Sequence, residues 1–401
     1  MSEHSEGRAE EVDLGDPAAS INPEEVVELA RALVRLPSEN PPGNEELVAR
    51  VLGEFLSTAG LDVAYREVFP GRPNLIATLH GNAAGPVLLY TGHTDTMPVS
   101  GVWAEDPHSG AIRDGRLWGR GAVDMKGGLA AMAVAAASLR RSGIPLRGSL
   151  LFAAVIDEEK GGAGTRQLVR DGVHADWAVI SEPTNNVPVI VSNGQLDFEV
   201  ILQGRSGHAS SPAAGHNAIY DAMDLVRALR ELMANEFPVR DYPLVGPPSL
   251  SVGTIEGGIQ TSVIPDRCRV TVDRRVVPSE TTAGAIEEME AVIERLRRSV
   301  PGFDAALDVF VRIDPVTISA ESPIVRALRH AAASVTGVDP GVAGLRATTD
   351  ADTLANQGGI PTVIMGPGSI REAHKADEFI PVDQLVAAAQ VFALAAVDLL
   401  G

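Results

Sequence analysis

Apolar strands alternate with apolar helices along this chain, and each strand closes on a polar run; no other feature constrains its fold as much. Val87-Leu88-Leu89-Tyr90 is continuously apolar, as a strand covered on both faces must be, and it leads into Gly92-His93-Thr94-Asp95. The pattern continues with a helix over Gly128 to Arg141, a strand over Ser149 to Ile156 and a short helix near Gly164 to Arg170. A strand over Trp177 to Ile180 follows and, much later, another over Thr362 to Met365. Such alternation predicts an α/β fold with a mainly parallel sheet and helices on both faces, in which ligands gather at the carboxyl ends of the strands. Upstream, Asn22-Pro23-Glu24-Glu25 reads as a capped helix start running to about Arg35. A second helix over Gly43 to Thr58 and half-buried strands over Leu61 to Phe69 and Asn74 to Leu79 complete that part.

The middle of the chain reads differently. A strand over Gln195 to Leu202, a helix over Asn217 to Ala234, strands over Ser249 to Ile255 and Cys268 to Val272, a helix over Thr281 to Arg297 and a strand over Ala306 to Val311 spell β-α-β-β-α-β. That order is the ferredoxin-like unit. The expected organisation is therefore an acidic flexible tail over residues 1–22, one α/β domain made of residues 23–191 and 312–401, and an α+β module over 192–311 inserted between its two parts.

Charge and cysteine content narrow the function. A net charge of -20 argues against nucleic acid and anionic membrane as partners, which demand clustered Lys and Arg. No uninterrupted apolar run reaches the length of a membrane span, the richest being Leu129 to Leu139. The opening Met1-Ser2-Glu3-His4-Ser5-Glu6 is acidic where a secretory leader is basic and then apolar, and Cys268 is the only cysteine. Both favour the cytoplasm.

The polar runs at the strand ends carry the chemistry. His93 and Asp95, two apart, leave one face of a strand, which suits a metal-bound imidazole with an orienting carboxylate or, equally, a hydrogen-bonded pair without metal. Gly119-Arg120-Gly121-Ala122-Val123-Asp124-Met125-Lys126-Gly127-Gly128 presents Asp124 before a helix; it lacks the Gly-Lys-Ser/Thr ending of a phosphate loop, which leaves metal ligation the better reading. Asp157-Glu158-Glu159 brings three acids to the end of an apolar strand, as ligands or as a solvated helix start. Ser181-Glu182-Pro183-Thr184 adds an acid, and Glu372-Ala373-His374-Lys375 a histidine. Imidazole and carboxylate ligands without thiolate suit zinc, with manganese or cobalt as alternatives.

Taken together and in this order, these runs resemble one family of two-metal amidohydrolases and peptidases. It contains acetylornithine deacetylase, succinyl-diaminopimelate desuccinylase, aminoacylase and glutamate carboxypeptidase, and the resemblance covers roughly residues 23–400. It implies two divalent ions per chain, zinc by the same ligand argument, in sites where Asp124 bridges, His93 and Glu182 complete one, and Glu159 and His374 complete the other. It further implies Glu158 as general base for water activated by the ions, and Asp95 as partner of His93. The inserted module becomes a lid and dimerisation domain. Gly207-His208-Ala209-Ser210 resembles the family's lid histidine, which polarises the scissile carbonyl in the partner subunit of a homodimer, and Arg275 matches its carboxylate-binding arginine. Arg274 is expected to face solvent. Ser262 stands where the family commonly has Asn. The implied reaction is hydrolysis of an N-acyl amino acid. A dipeptidase or a glutamate-carboxypeptidase-like enzyme is the alternative, and a non-catalytic binding protein on this scaffold is the alternative of another class.

Overall fold

The computed structural model describes residues 17–401. Most of the expected acidic tail, residues 1–16, lies outside the described residues. The first helix, Pro23–Val34, begins where its residues require: the Asn22 side chain accepts the Glu24 N–H at 3.0 Å, and Pro23 needs no amide partner at the first helical position.

One large sheet dominates. In spatial order it runs Asp62–Phe69, Arg72–His80, Arg147–Val155, Ala83–His93, Trp177–Ile180, Thr362–Ile364, Val189–Ser192 and Val316–Thr317, with Ala343–Leu345 also pairing to Val189–Ser192. Its centre is parallel: Ala83–His93 pairs in parallel with Arg147–Val155 and Trp177–Ile180, and Trp177–Ile180 with Thr362–Ile364. Asp62–Phe69 and Arg72–His80 add antiparallel strands on one side. The mixed α/β architecture with a mainly parallel central sheet is thus the one its apolar strands imply.

The helix Gly127–Ser142 is buried continuously from Gly127 to Leu139. Its Ala-rich sequence has little bulk on any side, so it packs closely against the sheet and against the helices Pro23–Val34 and Val382–Leu400. Glycine is required at its start. A Cβ on Gly128 would lie 2.3 Å from the Ser181 hydroxyl and 2.4 Å from its carbonyl, so only glycine lets the helix abut the strand end that carries Glu182. Length and composition alone would let Ala122–Ser142 and Val382–Leu400 cross a membrane, which differs from the expectation drawn from unbroken apolar runs. The first is wholly buried within the protein, which accounts for its composition without a bilayer.

A second sheet, in the order Ser249–Gly257, Arg267–Val276, Gly194–Gln203 and Asp304–Ile313, is antiparallel throughout. Leu196, Phe198, Val200 and Leu202 alternate inward against the helices Ala218–Asn235 and Thr282–Ser299 and form a separate core. Arg274 overturns its expectation. It shares the inward parity of Val270 and Val272 and is buried; its guanidinium meets Glu280 at 3.0 Å and Glu288 at 2.7 Å, and stacks 5.2 Å from the centre of the Phe237 ring. Strand alternation decides its direction, and two carboxylates make that burial tolerable.

Candidate active site

The ends of neighbouring strands meet at one point. His93 closes Ala83–His93, the Asp157-Glu158-Glu159 run follows Arg147–Val155, and Glu182 follows Trp177–Ile180. Asp124 comes from the turn that opens the buried helix, and His374 from the loop after Thr362–Ile364. His93 Nε2 lies 3.0 Å from Asp124 Oδ1 and 3.6 Å from Glu182 Oε1. His374 Nε2 lies 3.0 Å from Asp124 Oδ2 and 3.2 Å from Glu159 Oε2. The two oxygens of Asp124 therefore face different imidazoles, and the five residues form two groups that share one carboxylate.

Electrostatics show what such a cluster wants. Burial, and next the charges of Glu182, Asp350 and Glu159 against the opposing pull of His93, push the Glu158 carboxyl well above its usual range. Glu182 is raised in the same way, by burial first and then by Asp124. Burial alone would depress the His93 imidazole, yet its hydrogen bond to Asp124 and the charges of Glu182 and Glu158 raise it well above the ordinary value. Hydrogen bonds to Asp124 and Glu159 lift His374 to about 10. The cluster thus gathers carboxylates whose charged forms burial disfavours, a setting in which a proton or a bound cation is held. Ligand atoms of His93, Asp124 and Glu159 lie within 4.8 Å of one another, and this nitrogen and oxygen donor set fits a divalent metal ion.

Asp95 has a task the sequence did not suggest. His93 Nδ1 sits 2.9 Å from the main-chain carbonyl of Asp95 but 3.6 Å from its carboxylate. That carboxylate instead accepts the Glu158 N–H at Oδ1 and the Glu159 N–H at Oδ2, both at 3.1 Å. The carbonyl orients the imidazole, and the carboxylate caps the turn that carries the two glutamates.

Two further residues went unnoticed in the sequence. Glu378 and Arg120 form an ion pair at 2.6 Å with both side chains only 1% exposed, and Glu378 Oε1 accepts the Val123 and Asp124 N–H groups at 3.0 and 3.2 Å. Burial and then the charge of Asp124 push the Glu378 carboxyl up to about 7. The signal was present as Asp377-Glu378 directly before Phe379-Ile380, an acid entering an apolar strand.

The inserted module reaches the site unevenly. Arg275 lines a cleft of about 710 Å³ together with Glu158, Glu159 and His374, within the size range of small-molecule sites. Its guanidinium is paired with Asp273, through Nε at 2.9 Å and Nη2 at 2.8 Å. His208 and Ser262 lie on two adjoining exposed segments, where the Ala209 N–H donates to the Ser262 carbonyl at 3.0 Å. Neither lines that cleft among the described residues.

Fold and site together define a metal-binding hydrolase. The chain belongs to the peptidase family M20/M25/M40, whose sequence model matches residues 89–398. It is 32% identical over 353 residues to acetylornithine deacetylase of Myxococcus xanthus, covering 87% of each chain. Similarity to the N-formyl-4-amino-5-aminomethyl-2-methylpyrimidine deformylase of Bacillus subtilis is 29% over 399 residues, covering 90% of this chain and 92% of that one. Among solved structures, the aminopeptidase PepT of Bacillus cereus superposes with a TM-score of 0.80 at 26% identity, covering 94% of this chain and 99% of that one. The chain is accordingly an amidohydrolase or peptidase of that family.

Proposed function

We propose that this enzyme hydrolyses the amide bond of a small N-acyl amino acid, with two divalent ions, zinc or alternatively cobalt or manganese, held by His93, Asp124, Glu159, Glu182 and His374. The observation that carries the reading is the shared carboxylate: Asp124 offers one oxygen to the His93 and Glu182 group and the other to the His374 and Glu159 group. When bound, such ions lower the pKa of water and polarise a carbonyl.

The remaining work falls to side chains of this protein. Glu158, whose carboxyl lies in the cleft, takes a proton as carboxylate from the attacking water and returns it to the leaving amine nitrogen. Arg275 turns from Asp273 to the substrate's carboxylate, where its planar fork orients the amide. His208 donates to the carbonyl oxygen of a substrate in the partner subunit's site, with residues 192–311 serving as lid and dimerisation domain. Its exposure on a loop away from its own cleft favours that arrangement, and Ser262 beside it contributes to the same contact in place of an Asn. Cys268, the only cysteine, is buried and is in keeping with a cytoplasmic protein.

A peptidase reading, as a dipeptidase or a glutamate-carboxypeptidase-like enzyme, is the alternative; the likeness to the aminopeptidase PepT supports peptide cleavage in general, and a carboxylate-binding arginine serves a peptide as well as an acyl amino acid. One screen separates them. Metal-loaded protein is offered N-acetyl, N-formyl and N-succinyl amino acids and dipeptides, and released amine is measured. Preferential release from acyl amino acids supports the deacylase, preferential cleavage of dipeptides replaces it with the peptidase, and no release from any of them returns the protein to the class of binding scaffolds.

A further inference from the structure

A chain of buried polar side chains runs from the segment before the second helix to the turn that carries Glu158 and Glu159. Asn40 is 4% exposed, and its Nδ2 donates both to Asp95 Oδ2 at 3.0 Å and to Asp157 Oδ1 at 2.9 Å. Arg72 donates to the same Asp157 oxygen at 3.2 Å while gripping Glu45 through two bonds, at 2.8 and 2.5 Å. The Glu45 side chain is fully buried, and that of Arg72 is 15% exposed. Two residues along the same strand, Asn74 accepts the Ile156 N–H at 3.1 Å and donates to the Gly164 carbonyl at 2.8 Å. The turn is thereby held at Ile156, Asp157, Glu158, Glu159 and Gly164.

The turn needs holding. Asp157 has φ of 69°, a left-handed conformation that residues with a side chain adopt only where their surroundings hold it. The segment around Asn40 is itself pinned: the Asn40 N–H donates to the Thr96 carbonyl at 2.9 Å, and the Ser38 hydroxyl to the Thr94 carbonyl at 2.7 Å. Gly43 completes the fit. A Cβ there would fall 2.3 Å from Arg72 Cζ, so a larger residue would displace the guanidinium.

We infer that Asn40, Arg72 and Glu45 form a bracket that positions the base Glu158 relative to the ligand Glu159, acting through Asp95 and Asp157; the inference rests on the roles proposed above for those two glutamates. None of the three touches the reacting atoms, so they are positioning residues. Their loss misplaces the base while leaving the substrate-binding side of the cleft intact, and it loosens the metal held by Glu159. Outer partners of metal sites typically contribute about tenfold to a hundredfold in affinity or activity.

The test uses the full chain, with Asn40→Ala read first and Arg72→Met and Arg72→Lys beside it. Turnover of the best substrate from the screen, zinc affinity by competition with a chromophoric chelator, and thermal midpoint are measured for each. The bracket predicts that kcat falls at least about tenfold with KM within about twofold, that zinc affinity drops, and that Arg72→Lys recovers only part of what Arg72→Met loses, since an ammonium cannot reproduce the two-nitrogen fork on Glu45. Folded variants with wild-type kcat and wild-type zinc affinity overturn it. So does full recovery by Arg72→Lys, which reduces Arg72 to a generic charge. Should Asn40→Ala not fold, the Arg72 pair decides alone. Should Glu158→Gln prove fully active, the reading of the base fails instead, and zinc affinity still judges the bracket.

Discussion

The floor of the site and the face opposite it are built on opposite terms. On the floor, His93, Asp95, Asp124 and Glu182 are buried, and each polar atom discussed has a partner within the same chain. On the inserted module, Arg275 is partly exposed and engaged with a neighbouring Asp273, while His208 and Ser262 sit on adjoining exposed segments outside the cleft. The contrast teaches where assembly remains to be done. On the proposed function, a floor fixed by folding needs only its ions, whereas the opposing face would become functional when a substrate displaces Asp273 and a second chain supplies a histidine.

The largest expected effect breaks the floor chemically. Chelation of the divalent ions abolishes turnover, and zinc, cobalt or manganese restores it, as release of amine reports; full activity in metal-free protein contradicts the account. Next comes a difference in stability between the two regions. Arg120→Met leaves Glu378 buried without its cation and costs about 3–5 kcal/mol in denaturant unfolding. Arg275→Ala removes a partly exposed pair and changes stability by less than about 1 kcal/mol. Equal losses would erase the distinction between floor and lid.

Catalytic effects follow in size. Glu158→Ala lowers kcat at least about a hundredfold with both ions retained, whereas Glu159→Ala loses metal; equal metal content in the two variants, measured by elemental analysis, rejects the division of labour. The smallest effect concerns the module. Esterifying or amidating the substrate carboxylate lowers kcat/KM by at least about thirtyfold, and Arg275→Lys loses much of the same discrimination. Equal hydrolysis of carboxylated and carboxylate-free substrates by the wild type leaves Arg275 as nothing more than the partner of Asp273.

The same contrast explains what could be read from the sequence. Strand ends are legible because an apolar run stopping at His93 or Asp157 is a local pattern, and so is the alternation that defines the module. Asn40, Arg72 and Glu378 escaped because their meaning is not local: Asn40 lies 117 positions from Asp157, and Arg120 lies 258 from Glu378. A lone polar residue gives no sign of its partner until the fold brings the two together. Arg274 differs, since its inward parity with Val270 and Val272 is itself a local pattern, and strand alternation outweighs the usual exposure of arginine.

The central claim, a floor complete in one chain and finished by a histidine from another, is tested most directly by mixing two inactive proteins. Glu158→Ala lacks the base and His208→Ala lacks the lid histidine, so each homodimer is nearly inactive. Subunit exchange at equal concentration creates mixed dimers with one intact site, and the account predicts recovery of about a quarter of wild-type activity, given random pairing in a two-fold dimer. No recovery, with exchange verified by native mass spectrometry of differently tagged chains, would contradict it and confine His208 to its own chain.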